Sequence, residues 1–370
     1  MSAIGFFPWL RISSQKDFGH FGLVPFRRGA LPFESKNREH QKYVDSILAP
    51  YCLKPHDSIR GGTLLQISNE IIMPEISEEI VNSAFHFSEL LAFSGLAKRK
   101  FFRYGDEYCN RSNFQLVIQS FVDDSGGAAI TTVHRDHSST SYYRDESYSV
   151  IKPYHIEGMK VDFESEFLTK LVQLSKNKIY EEYFDSIVNF NLANTDNPAI
   201  SQQSEIVLLV SAFERLLDKT TKQKTELVNE FRKFISPTDS IEVENCEPLQ
   251  NYSDTPPGWE SQSLIDIWLR DFIRIRHKFA HGNRELPFRP IWSLSNHLLF
   301  GSYIFPLLFK SKLNFENKYT FTENDKIRID AFEKLLCFDH FQRIDDPNDL
   351  SQYPWNKVFL DMKFKDFSIF

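Results

Sequence analysis

Apolar residues recur along this chain with two different periods, and the change from one to the other divides it. Up to about residue 160 they come in short runs broken by turn residues. Phe21–Phe26 (FGLVPF) and Gly62–Ser68 (GTLLQIS) read as short strands. Pro25 has no N–H to give to a ladder, so it confines the first of these to a sheet edge. Ile76–Lys98 differs, with Ile80, Phe85, Phe87, Leu90, Leu91 and Leu96 in a helical pattern behind capping residues. Phe114–Val122 alternates, DDSGG turns and Ala128–Val133 returns, which is the pattern of a hairpin. The polar stretch Arg135–Ser147 reads as a loop, and a further strand is expected within Tyr148–Tyr154.

From about Val161 the texture becomes long helical periods. The pattern predicts helices over Phe163–Leu174, Lys178–Asn191, Ser201–Lys219, Lys222–Phe234, Ser261–His281, Pro287–Lys312 and Glu323–Cys337. Ser201–Lys219 is strongly amphipathic, with Ile206, Leu209, Val210, Phe213, Leu216 and Leu217 on one broad face. Ser236–Trp259, with SPTDS and SDTPPGW, reads as a long loop. The expected architecture is α+β: a mixed α/β module over residues 1–160, an all-α bundle over 161–340 and a C-terminal extension over 341–370.

One helix stands apart. Along Leu264–Gly282 (LIDIWLRDFIRIRHKFAHG), Trp268, Phe272, Ile275 and Phe279 follow offsets of four, three and four and share an apolar stripe. Arg270, Arg274, His277 and His281 repeat the same offsets two residues later, placing a basic and imidazole row roughly opposite. Gly282 is suited to stop the helix and leave His281 in its last turn, where the helix dipole favours a protonated ring.

Composition narrows what such a row could serve. The chain has 43 Lys and Arg against 50 Asp and Glu, a net charge of −7, which argues against a general electrostatic grip on nucleic acid. Any contact with nucleic acid must use a local basic patch. Cys52, Cys109, Cys246 and Cys337 are far apart with no C-x-x-C pair, the usage expected of reduced thiols in a cytoplasmic protein. The N-terminal MSAIGFFPWLRISS lacks a basic region followed by a long apolar core, so no secretory signal is expected. The most apolar stretch, His297–Phe309, is about 13 residues with a proline, too short to span a bilayer and better read as a buried helix.

The segment Arg276-His277-Lys278-Phe279-Ala280-His281 is R-x4-H with a polar residue directly after the arginine. It resembles the signature of the HEPN superfamily, many of whose members are metal-independent ribonucleases. The run LRDFIRIRHKFAHG is similar to that family's second core helix, and Ser211–Leu217 (SAFERLL), with Glu214 before a leucine pair, resembles its earlier core helix. The resemblance covers roughly residues 165–310, is nearest to the abortive-infection (ApeA-like) branch, and leaves the first 160 residues unexplained. It implies an endoribonuclease of a bacterial defence or toxin system, acting on RNA as a homodimer that joins two motif copies, with an antitoxin or trigger molecule as a possible further partner and no cofactor. On that resemblance His281 is the acid/base, Arg276 the phosphate and transition-state clamp, and His277 the polar residue orienting one of them. Arg270, Arg274 and Lys278 would hold the RNA backbone. From its own position Glu214 reads either as a partner of the Arg270 and Arg274 row across the helix interface or as a solvated glutamate beside Arg215.

The residue types suit the chemistry. RNA cleavage without metal needs a base for the 2′-hydroxyl, an acid for the leaving 5′-oxygen and positive charge on the phosphorane. Histidine titrates near neutrality and serves either proton role, and arginine stays charged and grips phosphate in two places. At i, i+5, however, Arg276 and His281 sit about 140° apart on an ideal helix, so a bend near Gly282 or a second chain would have to complete the site. Several other readings remain open. The same bundle fits a non-catalytic dimerisation or binding protein, or an exposed basic helix paired with acids. His277 and His281 have the H-x3-H spacing of zinc ligands, but Lys278 stands where a metalloprotease needs glutamate. His134, Asp136 and His137 (HRDH) invite a metal reading against that of a solvated loop, and Gly61-Gly62 alone is too little for a phosphate loop.

Overall fold

The computed structural model of the chain describes residues 2–29, 44–54, 57–73, 77–102, 108–121, 129–133, 135–136, 138–143, 149–152, 161–175, 180–238, 241–252, 262–283, 285–346 and 348–361. It is α+β, with strands in the N-terminal part followed by a helical C-terminal region. Two compact units divide the chain. Unit 1 takes Met1–Gly95 and Gly105–Val172, and unit 2 takes Leu96–Tyr104 and Gln173–Phe370.

Unit 1 is built on a six-stranded antiparallel sheet. Its centre is β1 (Ser2–Phe7), a strand the apolar pattern does not flag. One edge of β1 pairs with β6 (Gly61–Ile67) at Gly5–Phe7 and with β7 (Ile72–Met73) at Ala3–Ile4, and the other runs along β8 (Val117–Phe121). Beyond β6 lies β3 (Phe21–Arg27), and beyond it β2 (Lys16–Asp17). Because β2 pairs only at Gly22 and Leu23, β3 is an edge where Pro25 sits opposite Thr63, as a residue without an N–H requires. Leu23 and Val24 are both buried, so this sheet is covered on both faces. Ile4, Phe6, Val24, Phe26 and Leu64 meet Val44, Ile47 and Leu48 of a helical turn at residues 44–48. Phe21 stacks on Phe87 of helix α1 (Glu78–Lys98), centroids 4.6 Å apart, whereas Phe85 of the same helix is exposed.

The expected hairpin is re-paired. β8 takes its ladder from β1, while β9 (Ala129–Val133) pairs with β10 (Ser139–Tyr143), which occupies the segment read as a loop. The expected DDSGG turn and Ala128 lie outside the described residues, as do His134 and His137; Arg135 and Asp136 are exposed. Tyr51–Lys54 (β4) forms a second small sheet with Asp57–Ser58 (β5) and Val150–Ile151 (β11), the part of the expected Tyr148–Tyr154 strand that pairs.

Seven helices of the C-terminal region follow the sequence periods closely: α2 (Ser165–Leu174, in unit 1 up to Val172), α3 (Tyr180–Leu192), α4 (Gln202–Leu217), α5 (Lys224–Phe234), α6 (Leu264–Ala280), α7 (Leu294–Phe315) and α8 (Glu323–Leu336); α9 (Pro354–Asp361) forms in the C-terminal extension, where the pattern predicts none. Ser201, Ser263, Ser293 and Thr322 cap α4, α6, α7 and α8 by accepting a backbone N–H at the third helical position. Capping explains why α7 starts at Leu294 and not at Pro287: Ser293 closes its first turn, and residues 287–293 bind elsewhere. Within the long loop the described residues form a 3-10 turn at Val243–Asn245 and a short helix at Glu247–Gln250. In unit 2, Phe213 of α4 meets Phe231, Trp268, Phe272 and Phe305 edge-on or tilted. Gly301 lets α7 approach α4, since a Cβ there would fall 2.6 Å from Leu209 Cδ2. Among the described residues no helix is long and apolar enough to cross a membrane, and all four cysteines are free thiols and buried.

The C-terminal stretch joins the same core. His340 is 3% exposed, its Nε2 lies 2.8 Å from Leu335 O, and its ring meets Phe300 and Trp355. Burial holds its pKa down to about 4. The unfolded ring, at about 6.5, takes up a proton first, so stability must fall as pH drops from about 6.5 towards 4. We predict that His340 alone costs the fold about 2 kcal/mol between pH 7 and pH 5. In urea unfolding at the two pH values, His340→Gln should lose less stability than wild type by that margin.

Candidate active site at the end of helix α6

The local sequence makes α6 a helix with a fixed end. The helix stays regular to Ala280, His281 is its cap residue, and Gly282 takes φ +81°, the left-handed backbone that glycine adopts without strain. Asn283, which the sequence reading did not single out, ties off this end: its backbone N–H and its side-chain amide both donate to Lys278 O, at 3.3 and 2.9 Å. Trp268, Phe272 and Ile275 are fully buried and Phe279 is half-buried, so the apolar stripe faces the core along its length.

The opposite row divides into two. Arg274 turns inward: its Nη2 donates to Asp271 Oδ1 at 2.7 Å and to the Tyr252 hydroxyl at 3.3 Å, and its guanidinium stacks 3.6 Å from the Phe288 ring centroid. Asp271 is fully buried, and its other oxygen accepts the Ile291 N–H at 2.8 Å and lies 3.1 Å from His297 Nε2. His297 is itself fully buried, stacked on Phe272 at 5.3 Å with Trp292 edge-on. The Tyr252 hydroxyl donates to Arg289 O at 2.7 Å, so Arg274 and Asp271 together bind the approach to α7 and the preceding loop. Arg274 is therefore engaged within the fold. Arg270 is half-buried, makes no ion pair among the described residues, and its Nε is buried without a hydrogen-bond partner.

The last turn carries the remaining candidates. Arg276 Nη2 donates to Glu214 Oε2 at 2.9 Å across the α4–α6 contact. Glu214 thus supports Arg276, where the sequence reading aimed it at Arg270 and Arg274. His277 and His281 are exposed, with ring centroids 4.5 Å apart and edge-on. No hydrogen bond joins His281 to Arg276 among the described residues, as the helix angle requires. Partial desolvation, followed by the charges of His281, Lys224, Lys278 and Arg276, lowers the His277 pKa. Lys224 opens α5, so a second helix adds its cation to this turn. The arrangement is a solvent-facing imidazole pair in a local field of positive charge, able to attract an anion and to exchange protons with it. Among the described residues no group of three His, Cys, Asp or Glu side chains could hold a metal ion.

The sequence pattern does not mark Asp271, His297 or Tyr252 as members of this cluster. Asp271 lies three residues before Arg274, the spacing of a helical ion pair, and was the available signal. His297 and Tyr252 lie on other segments and gave none. We predict that Asp271→Ala lowers the unfolding free energy by about 3–5 kcal/mol, because it strands Arg274 and the Ile291 N–H together. Arg274→Ala should cost less, since the guanidinium is 21% exposed. A double-mutant cycle in urea should give a coupling energy above about 1 kcal/mol; additive effects would mean the contact is incidental.

Comparison with family models, with curated proteins and with solved structures finds no match to this chain.

Proposed function

We propose that this chain is a metal-independent endoribonuclease, HEPN-like in its helical part, serving a bacterial defence or toxin system in the cytoplasm. The observation that carries this reading is the paired, exposed imidazoles of His277 and His281 in one turn, beside an arginine held in place by Glu214. In the proposed reaction a neutral imidazole takes the 2′-hydroxyl proton, O2′ bonds to phosphorus, and the bond to O5′ breaks as an imidazolium protonates it. The products are a 2′,3′-cyclic phosphate and a 5′-hydroxyl. His277, whose pKa is lowered by partial desolvation and then by the surrounding charges, would take the 2′-hydroxyl proton, and His281 would protonate the leaving oxygen. Arg276 would clamp the phosphorane, and Lys278 and Arg270 would steer the backbone. One turn could supply both proton roles, or two copies in a homodimer could share them. Unit 1 would sense a trigger or restrain the helical part, and an antitoxin is a further partner compatible with this role.

One observation favours a second reading. Arg276 is already neutralised by Glu214, and an arginine so paired suits a non-catalytic binding or dimerisation module equally well.

The two readings separate on purified protein incubated with total cellular RNA in EDTA. We expect cleavage ending in 2′,3′-cyclic phosphates, reduced at least about 100-fold by His281→Ala and by Arg276→Ala with circular dichroism unchanged. Cleavage that survives both substitutions would place the chemistry elsewhere. If two copies share the site, mixing the two inactive variants should restore part of the activity.

A further inference from the structure

Unit 1 contains a concavity that no part of the nuclease reading uses. A cavity of about 700 Å³ opens where the β3–β6 ladder ends, lined by Arg11, Ile12, Pro25, Arg27, Arg60 and the backbone of Gly61 and Gly62. The three arginines come from three separate segments, and the sheet register brings them together. Arg27 pairs opposite Gly61 as the last residue of β3, and Arg60 directly precedes β6, where its carbonyl accepts the Arg28 N–H at 3.0 Å. Arg11 follows β1, where the buried Thr63 hydroxyl of β6 donates to Leu10 O at 2.8 Å and fixes the chain just before it. The glycines belong to this packing: a Cβ at Gly61 would meet Phe26 O at 2.4 Å, and one at Gly62 would meet Phe7 O at 2.8 Å. They let three strands close up and leave the rim to the arginines.

Charge gives the cavity its chemistry. Arg11, Arg27 and Arg60 are exposed, and none has an acidic partner among the described residues, in a chain whose acids outnumber its Lys and Arg 50 to 43. The charge of Arg11 is felt beyond the rim. The half-buried Lys152 has its pKa lowered to about 8, first by burial and then by the charge of Arg11. Like charges gathered without counter-charges among the described residues repel, and the arrangement is relieved by an anion that several guanidinium forks grip at once. The volume lies in the range of small-molecule sites, about 300–1,000 Å³, and exceeds what a lone phosphate would fill. Ile12 and Pro25 offer an apolar wall beside the cations, the complement of a ligand with an uncharged face and a charged tail.

We propose that this cavity binds a small ligand carrying linked phosphates, a nucleoside di- or triphosphate, with Arg11, Arg27 and Arg60 on the phosphate chain and Ile12 and Pro25 against the nucleoside. The site stands independently of the α6 reading, because it shares no residue with it.

The test is calorimetric titration of the full chain with ATP, with pyrophosphate and with inorganic phosphate, at low and at 0.5 M salt. Wild type should bind ATP and pyrophosphate saturably, more tightly than inorganic phosphate, and more weakly in high salt. The triple variant Arg11→Ala/Arg27→Ala/Arg60→Ala should bind at least about tenfold more weakly. A control removing three exposed lysines elsewhere, Lys170→Ala/Lys222→Ala/Lys326→Ala, should bind like wild type. Circular dichroism and thermal melting establish that both variants are folded, and single Arg→Ala variants replace the triple should it fail to fold. Absence of saturable ATP and pyrophosphate binding by wild type overturns the proposal, as does equal binding by the folded arginine variants. Binding of a single-stranded RNA, lost in the arginine variant, with neither small ligand bound, would also overturn it.

Discussion

The helical unit depends on one buried carboxylate. Asp271 is fully removed from water in the middle of α6, and an ionised group there costs several kcal/mol unless its oxygens are satisfied. Both are: Arg274 on one, the Ile291 N–H and His297 on the other. Those partners lie on the same helix, on the approach to α7 and on α7 itself, so satisfying the charge fixes how these segments meet. Tyr252, bonded to Arg274 and to Arg289 O, brings the long loop under the same constraint. Apolar packing of Trp268 and Phe272 supplies the driving force, but apolar contact is non-directional. The polar hub selects one arrangement.

That hub also determines what α6 can present to solvent. With Arg274 drawn inward and Arg276 held by Glu214, the last turn exposes two imidazoles in a defined mutual geometry. Partial desolvation, and then the charges of His281, Lys224, Lys278 and Arg276, lower the pKa of His277 in this turn. Two exposed imidazoles and several cations thus gather at a helix end secured by Gly282 and Asn283. Arg276 is the point of tension, because its pairing with Glu214 both orients it and neutralises it. A substrate phosphate would have to share or displace that carboxylate.

Unit 1 solves a different problem, that of closing strands tightly and ending them cleanly. Gly61 and Gly62 admit neighbouring backbones that a side chain would exclude, while Pro25 and the two-residue β2 leave part of β3 as an edge. The cost of close pairing is that side chains crowd the ladder's end, and here those side chains are arginines. A basic cavity in an acidic chain follows from register, not from any basic run in the sequence.

The sequence by itself determined the fold class, the positions of the long helices and the end of α6. Those features are local: helical periodicity, serine and threonine caps and a glycine at the stop act within a few residues. It placed His277 and His281 together for the same reason, since residues four apart on a helix are neighbours. Only the tertiary structure decided the rest. Strand pairing is non-local, so β9 could choose β10 over β8, and β1 could become the centre of a sheet without a strong pattern of its own. Glu214 found Arg276, and Asp271 found His297, 26 residues away, because helix packing chose their partners. Arg11, Arg27 and Arg60 converge for the same reason. Hydrogen bonds and charges are satisfied across space, and spacing along the chain does not record which groups will meet.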